Sequence, residues 1–428
     1  MWAAHAETQV SHPQEAVSTP PRLSLAEAQQ IAFERNWDLL AAKSGINSAE
    51  AQLIVVKEFP NPTFSWTTAK IGTHESATIL GNSIWNRSYD TIAAVSQLVE
   101  IAGKRGDRQR AARAGVMGAR ARFFDAKRTL DQGVTKAYVA ALLANENVRV
   151  LNESANYLKH EADIANARYK AGDISDSDRK QIEINAEQFQ LQARAAEATA
   201  AQARVAVEIL MGVPQPKGNW EPVDTLPLLV TASTPKDLDE MPQGSRSDVL
   251  AAEQDLRSAR ENLKLQKAIR IPDPTFSIQY EHEPPGGGPP IDTFGVGVSF
   301  PLPLWNRNGG NIKAAQAQQE QSAIALGKVK LQVMSDIANA AVAYKEASGR
   351  LHRYVDQIRP KAGSVRESVA FAYEKGGASL VDLLDAERTD NDVRLATAQA
   401  MSDTVSAAAD LKAARAVLPE TELTSSKP

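Results

Sequence analysis

The sequence predicts a mainly α-helical protein with a small β part, in which a unit of helix, two strands, long helix and return helix occurs twice. Three observations predict this class. Apolar residues recur at steps of three and four over 311–373, which at ~1.5 Å per residue makes a helix of roughly 95 Å. Short stretches of alternating polar and apolar residues interrupt the helical pattern. Matching segments also recur at a separation close to half the chain length, which indicates a tandem duplication.

The first unit follows a lead-in, residues 1–22, that has no period and is expected to be flexible. Ser24 and Glu27 have capping-box spacing and predict the start of a helix that ends near Lys57. Phe64 and Trp66 then alternate with polar residues, which predicts a strand. We expect the first unit to span 23–213. Its strands are expected at about 63–71 and 89–98, on either side of a loop with Gly72 and Gly81. A long helix at about 107–170 and a return helix at about 177–211 follow, and Ser175 or Ser177 caps the return helix.

The second unit repeats the first after a proline-rich segment, 214–246, that is expected to be a non-helical link. Pro60-Asn61-Pro62-Thr63 returns as Pro272-Asp273-Pro274-Thr275, an offset of 272 − 60 = 212. Tyr169-Lys170-Ala171-Gly172 matches Tyr373-Glu374-Lys375-Gly376, an offset of 373 − 169 = 204. We expect this unit to span 247–417, with strands at about 275–283 and 291–300, a long helix at about 311–375, a return helix at about 379–416, and a flexible tail at 418–428.

Composition excludes several classes of protein. The net charge is −4, and basic and acidic residues alternate without blocks, so no nucleic-acid partner is predicted. Cysteine is absent, which excludes disulfides, thiolate metal sites and a lipid on an N-terminal cysteine. No apolar run approaches the ~18 residues of a membrane-spanning helix, so any membrane contact must use strands. The first residues lack a signal-peptide core, so either an export signal was removed from this numbering or the protein stays inside.

The strands of the second unit have membrane-spanning length. Proline bounds both of them, and the nine and ten residues between the prolines fit the ~9–11 of a tilted transmembrane strand. Phe276, Ile278 and Tyr280 alternate with polar residues, so each strand has one apolar face. The same alternation is typical of a strand pair that covers a soluble core, and the pattern alone leaves both interpretations open.

No enzymatic, cofactor or metal site is predicted. The six histidines lie far apart, without a zinc-binding motif. Gly286-Gly287-Gly288 precedes Pro289 and Pro290, which prevent the helix that a phosphate-binding loop requires. Asp382 and Asp385 lie one helical turn apart, but within a leucine-rich stretch with no base or nucleophile nearby.

The duplicated order of elements and three motifs resemble the TolC family of outer-membrane efflux channels, over about residues 23–417. The likeness is greatest to its CzcC-like heavy-metal efflux branch. The motifs are the Pro-Asn-Pro strand entry, the strand exit Ser299-Phe300-Pro301-Leu302-Pro303-Leu304, and the turn Tyr373-x-x-Gly376-x-x-Ser379-Leu380-Val381-Asp382-Leu383-Leu384-Asp385-Ala386.

This resemblance implies a homotrimer in the outer membrane with a periplasmic extension. Three protomers each contribute four strands to one 12-stranded transmembrane β-barrel, and their long helical hairpins form an α-barrel tunnel. The implied partners are outer-membrane lipid, a periplasmic adaptor (a membrane fusion protein) and an inner-membrane RND pump. The implied function is passive conduction of heavy-metal cations such as cobalt, zinc, cadmium, copper or nickel. The alternatives are drug efflux or type I protein secretion through the same channel, or a soluble coiled-coil adaptor or scaffold.

The resemblance also implies three groups of site residues. An arginine of the family's closing network falls on Ala378 here, which leaves the acidic residues without that salt bridge. The implied groups are a periplasmic constriction (Asp382, Asp385, Tyr373, Asp178), adaptor-contacting tips (Gly172, Asp173, Gly376, Gly377), and lipid-facing strand residues (Phe64, Trp66, Phe276, Ile278, Phe294, Val296, Val298).

Overall fold

The computed structural model describes residues 19–69, 90–235, 244–283, 289 and 291–418. Most of the expected N-terminal lead-in and C-terminal tail, and the predicted loops at Gly72, Gly81 and Gly286–Gly288, lie outside the described residues. The chain forms two compact units. Unit 1 holds the described residues of Met1–Lys43, Phe123–Ser247 and Leu331–Glu422, and unit 2 holds those of Ser44–Arg122 and Asp248–Lys330.

Unit 2 contains a four-stranded antiparallel sheet. The strands are β2 (Thr63–Ala69), β3 (Asp90–Leu98), β5 (Thr275–Glu283) and β6 (Ile291–Ser299). Polar and apolar residues alternate most clearly along β5 and β6 and not regularly along β3. Proline precedes β2 and β5, so backbone pairing begins just after it. The strand order is β2-β3-β5-β6, which leaves β2 and β6 as edges. A second, two-stranded parallel pair in unit 1 joins β1 (Arg22–Leu23) to β4 (Glu221–Pro222).

Helices make up most of the described chain, in the same order in both halves. No described helix is both long and apolar enough to cross a membrane. The helices are α1 (Leu25–Arg35), α2 (Trp37–Val55), α3 (Lys104–Ala171), α4 (Asp176–Leu210), α5 (Leu226–Ala232), α6 (Ser247–Ala268), α7 (Gly309–Arg353), α8 (Arg359–Glu374) and α9 (Leu380–Arg415).

The prediction of one helix from Ser24 to Lys57 is wrong. The capping box at Ser24 is present, but the helix ends at Asn36 and a second one begins. The Asn36 side chain accepts from the backbone N–H groups of Asp38 (3.0 Å) and Leu39 (3.1 Å), and it donates to the carbonyl of Leu210 (2.9 Å). Because asparagine satisfies donors that a continuous helix would use internally, it caps a new helix.

Two further expectations differ from the structure. The link at 214–246 is not wholly non-helical, because α5 lies within it with Pro227 in its first turn, where proline is tolerated. The long helix expected over 311–375 is interrupted by a π-helical segment, Tyr354–Ile358, just before Pro360. Since proline lacks an N–H donor and crowds the preceding turn, it accounts for the local change of hydrogen bonding there.

Alanine-rich seams form the core of unit 1. Leu151, Ala155 and Leu158 of α3 pack against Phe189 and Ala193 of α4. A second cluster joins the later part of α7 to the end of α9, with Tyr344 and Leu411 as its largest members. Small side chains let helices approach closely, so these seams bury long helical faces with few large residues.

Candidate functional site

One face of the sheet in unit 2 is apolar and exposed. The register aligns Phe64, Val95, Ile278 and Val296 in one row across all four strands. Because side chains alternate between faces, residues two positions away in each strand share that face. The seven residues expected to face lipid all lie on it and are 48–89 % exposed: Phe64, Trp66, Phe276, Ile278, Phe294, Val296 and Val298.

The opposite face of the sheet carries mainly small or polar residues, with Ile92, Leu98 and Ile291 as its large apolar members. Its matching row is Ser65, Ala94, Gln279 and Gly295. An exposed apolar face is favourable in hydrocarbon, but unpaired edge groups there cost several kcal/mol each. The open edges at β2 and β6 therefore require strands from other protomers before this sheet enters a membrane.

Unit 1 contains two helix-to-helix turns with the same geometry. Gly172 ends α3 with φ +84°, and Gly376 follows α8 with φ +75°. The N–H of Gly172 donates to the carbonyl of Tyr169 at 3.0 Å, and that of Gly376 donates to Tyr373 at 3.0 Å. The residues after them, Asp173 and Gly377, donate to carbonyls five residues back, which completes the Schellman pattern. Left-handed backbone explains the glycine at both positions.

Asp382 is held at the start of α9. Its Oδ2 accepts from the N–H of Ser379 at 3.0 Å and from the Ser379 hydroxyl at 2.7 Å, while its own N–H donates to that hydroxyl oxygen at 3.2 Å. These hydrogen bonds from Ser379 lower the pKa of Asp382 below its ordinary value. Asp382 is exposed, as is Asp385 one turn on, and within the described part of the chain neither is in an ion pair.

The other two residues of the expected constriction have different surroundings. Asp178 is exposed at the start of α4, where its N–H donates to Ser175, the helix cap, at 3.1 Å. Tyr373 is half-buried, and the guanidinium of Arg168 lies 5.7 Å from its ring centroid. An arginine from α3 therefore lies within cation–π range of this tyrosine. The structure does not bring Asp178, Asp382 and Tyr373 into one hydrogen-bonded group within the protomer.

A buried polar cluster around Glu387 was not predicted from the sequence. Glu387 is 6 % exposed, Arg366 of α8 lies 3.5 Å from its Oε1, and Asp390 lies 3.8 Å from the other side of that guanidinium. Neither Glu387 Oε1 nor Arg366 Nε has a hydrogen bond. A signal was available, because steps of three and four from Leu383 reach Glu387 and Asp390, so polar residues occupy seam positions.

The same cluster contacts α3. Arg394 pairs with Glu153, and the hydroxyl of Ser154 donates to Asn391 at 3.0 Å. Burial raises the pKa of Glu387, Arg366 opposes that rise, and Asp390 and Glu161 add to it. A buried carboxyl that is imperfectly paired makes this layer sensitive to substitution.

Within the described ranges, no group of three or more histidine, cysteine, aspartate or glutamate side chains is arranged to hold a metal ion.

A sheet with an exposed apolar face and open edges, on a chain dominated by long helices, is typical of a subunit that oligomerises to place a β-sheet in a membrane. The outer membrane efflux protein family model matches residues 28–213 and 242–416, and the chain belongs to this family. Its channels lie in the outer membrane and extend into the periplasm, form trimers, and act as conduits rather than enzymes. They work with periplasmic adaptors and RND pumps.

Individual relatives agree with this assignment. The chain is 25 % identical over 375 residues to the cobalt-zinc-cadmium resistance protein CzcC of Cupriavidus metallidurans, covering 86 % of this chain and 84 % of that protein. It has the fold of the open MtrE outer membrane channel of Neisseria gonorrhoeae, with TM-score 0.72, 21 % identity and 94 % of each chain covered. The Campylobacter jejuni CmeC channel gives TM-score 0.73 at 18 % identity, with 91 % of this chain and 85 % of that chain covered.

Proposed function

We propose that this channel carries heavy-metal cations, received from a periplasmic adaptor and an inner-membrane RND pump, across the outer membrane. The observation that carries the proposal is the similarity to CzcC along most of both chains. Cobalt, zinc and cadmium are therefore the first cations to test, and copper and nickel follow from the wider heavy-metal branch. The cations are cargo, so the pore must attract them without holding them.

The carboxylates at the start of α9 support cation passage. Asp382 is exposed and has a lowered pKa, so it stays ionised at neutral and mildly acidic pH. Asp385 is exposed one turn further along the helix. In a trimer these two positions supply six carboxylates, and a ring of like charges around a narrow axis attracts cations and excludes anions. We propose that Asp382, Asp385, Tyr373 and Asp178 line the periplasmic constriction.

Planar-bilayer recordings test the ring. Asparagine at both Asp382 and Asp385 removes the charge, and the new amide oxygen still accepts from Ser379, so the start of α9 is preserved. We expect the double variant to lose cation preference and block by multivalent cations. Asp163→Asn makes the same charge change on an exposed position of α3 and should leave both properties unchanged. A double variant that conducts like the parent contradicts the ring.

Metal tolerance tests the cargo. Deleting the gene in its own host should lower the tolerated concentration of cobalt, zinc or cadmium and leave tolerance to organic drugs unchanged. Re-expression of the parent chain should restore metal tolerance. Loss of drug tolerance alone favours drug efflux, and loss of a secreted polypeptide favours type I secretion; either result contradicts metal cargo.

The glycine turns supply the proposed adaptor contact. Gly172, Asp173, Gly376 and Gly377 form two solvent-exposed turns with matched backbone geometry, so one type of adaptor surface can dock on both. Cysteine cross-linking from Asp173 to a co-expressed adaptor tests this contact. The exposed Asp163 on α3 gives a matched position that should not cross-link.

A further inference from the structure

We propose that the segment between β6 and α7 forms, with the end of α6, a binding site for an anionic phospholipid of the periplasmic leaflet. The apolar stripe of β6 does not stop where the strand ends. Phe300 continues the alternation of Val296 and Val298, and Leu302, Leu304 and Trp305 follow it, each more than half exposed, with Trp305 at 94 %. Tryptophan with such exposure is typical of the interface between hydrocarbon and water.

The position of this segment identifies the leaflet. It joins β6 to α7, and the corresponding end of β5 joins α6 through residues 269–274. In this family the helical part extends into the periplasm, so these connections lie at the periplasmic end of the strands. The surface is continuous with the apolar face of the sheet, and its natural occupant is the lipid that covers that face.

The C-terminal end of this segment, next to α7, is hydrogen-bonded to α6. Asn308 has left-handed backbone, with φ 59°, and its side-chain amide donates to the backbone carbonyl of Gln266 at 2.8 Å and to its side-chain oxygen at 3.0 Å. Asn311 in turn donates to Asn308 at 2.7 Å. These bonds fasten the segment to the last turn of α6, so Trp305 is presented on an ordered surface.

Two arginines on this surface are placed to bind a lipid headgroup. Arg270 and Arg307 line the same shallow cavity of about 330 Å³ as Leu302 and Trp305. Both are exposed, and among the residues that the structure describes neither has a carboxylate partner. By contrast, Lys104 at the same end of the strands is buried and pairs with Asp273 at 2.7 Å.

Unpaired arginines beside exposed apolar residues match one ligand class. A guanidinium binds a phosphate through paired N–H donors, and the neighbouring leucine and tryptophan side chains suit the start of the acyl chains. A zwitterionic lipid offers the same phosphate but adds a positive charge that two arginines oppose. The geometry thus favours a lipid with net negative charge, such as phosphatidylglycerol.

Native mass spectrometry of the purified trimer in neutral detergent tests this site. After addition of phosphatidylglycerol or phosphatidylcholine with the same acyl chains, we expect the parent to retain phosphatidylglycerol preferentially. Arg270→Gln with Arg307→Gln should weaken phosphatidylglycerol retention about 5-fold per arginine, or about 30-fold together, and should weaken phosphatidylcholine retention less. Trp305→Ala should weaken both lipids alike.

The matched control is Arg257→Gln with Arg260→Gln, which makes the same charge change on α6, about 15–20 Å before Arg270. It should retain the parent's preference. Equal retention of both lipids by the parent, or unchanged retention by the Arg270 and Arg307 variant, overturns the proposal. A lower trimer-dissociation temperature with unchanged lipid retention also overturns it and assigns the surface to a neighbouring protomer. The single variants Arg270→Gln and Arg307→Gln repeat the test if the double variant fails to assemble, and no step depends on the transported substrate.

Discussion

Replacing Arg366 with methionine should loosen α8 and α9 far more than replacing its partner Glu387 with glutamine. Within the described part of the chain, Arg366 forms ion pairs with both buried carboxylates, Glu387 at 3.5 Å and Asp390 at 3.8 Å. Removing one partner of a buried pair costs ~3–5 kcal/mol, because a charge stays buried without compensation. The Arg366 side chain is 33 % exposed and makes no hydrogen bond through Nε, so we take the lower end, about 3 kcal/mol.

Glu387→Gln has a much smaller expected cost. It leaves Arg366 with Asp390, and a neutral amide avoids the penalty of burying a carboxylate. Hydrogen–deuterium exchange of α8 and the first turns of α9, in the detergent-solubilised trimer, measures both effects. A cost of about 3 kcal/mol corresponds to about 150-fold faster exchange for Arg366→Met, whereas Glu387→Gln should stay within about threefold of the parent.

The pH dependence has a defined sign. Burial raises the pKa of Glu387 above its ordinary 4.5, so the folded state binds that proton more tightly than the unfolded state. The contribution of Glu387 to packing is therefore fully present below pH 4.5 and is lost as the pH rises through the raised pKa. We expect protection of α8 and α9 to fall over that window in the parent and to remain level in Glu387→Gln. The loss of exchange protection in Arg366→Met, relative to the parent, should become smaller at lower pH, because protonated Glu387 is neutral and needs no counter-charge.

Arg388→Met is the control, because Arg388 is exposed on α9 next to Glu387. Exchange in Arg366→Met that is no faster than in Arg388→Met or Glu387→Gln would refute the assignment of Arg366 as the compensating charge. Protection that rises with pH in the parent would refute the assignment of Glu387 as the titrating group.

Three other variants test separate parts of the molecule. Gly172→Val with Gly376→Val places a β-branched side chain on left-handed backbone, which costs about 1–2 kcal/mol per site. The space around each Cβ is open, so no steric clash is added. Adaptor cross-linking should therefore fall while the trimer still assembles. Val296→Lys places a charge on the apolar face of the sheet at ~2–4 kcal/mol near mid-membrane, so trimer yield in the outer membrane should drop. Asn36→Ala removes the cap of α2 and its bond to Leu210, so the thermal midpoint, followed by circular dichroism, should fall by an amount equivalent to about 1–3 kcal/mol.

Each of the three variants has a control variant and a result that would contradict the prediction. Gly327→Val lies within α7, with open space around its Cβ and without left-handed backbone, and should not affect cross-linking; equal cross-linking in the turn variants would remove the turns from the docking site. Thr293→Lys adds the same charge to the opposite face of the same strand and should be tolerated better than Val296→Lys; the reverse order would reassign the lipid face. Gln30→Ala removes the exposed hydrogen bond from Gln30 to Glu34 on α1 and should leave the thermal midpoint nearly unchanged. An equal fall in the midpoint for Gln30→Ala and Asn36→Ala would contradict the assignment of Asn36 as a stabilising helix cap.

Local patterns were sufficient for the strands and for the two glycine turns. Alternation of Phe276, Ile278 and Tyr280 predicted one apolar face, and the register places them there. The glycines at 172 and 376 were recognisable because left-handed backbone excludes most other residues. The helix break at Asn36 was not recognisable, because asparagine is tolerated inside a helix. Only the structure shows that its side chain caps the next helix and donates to Leu210.

The sequence by itself determined the fold class, the duplication, the apolar strand face and the family, because each depends on periodicity or on motifs that are local in the chain. Only the tertiary structure decided which charges are compensated. Arg366 lies 21 residues before Glu387 (387 − 366 = 21), and the two meet because α8 and α9 pack side by side. Arg270 and Arg307 line one cavity because Asn308 holds the β6–α7 segment against α6. Charge compensation and burial depend on distances between chain-distant atoms, and no local pattern contains those distances.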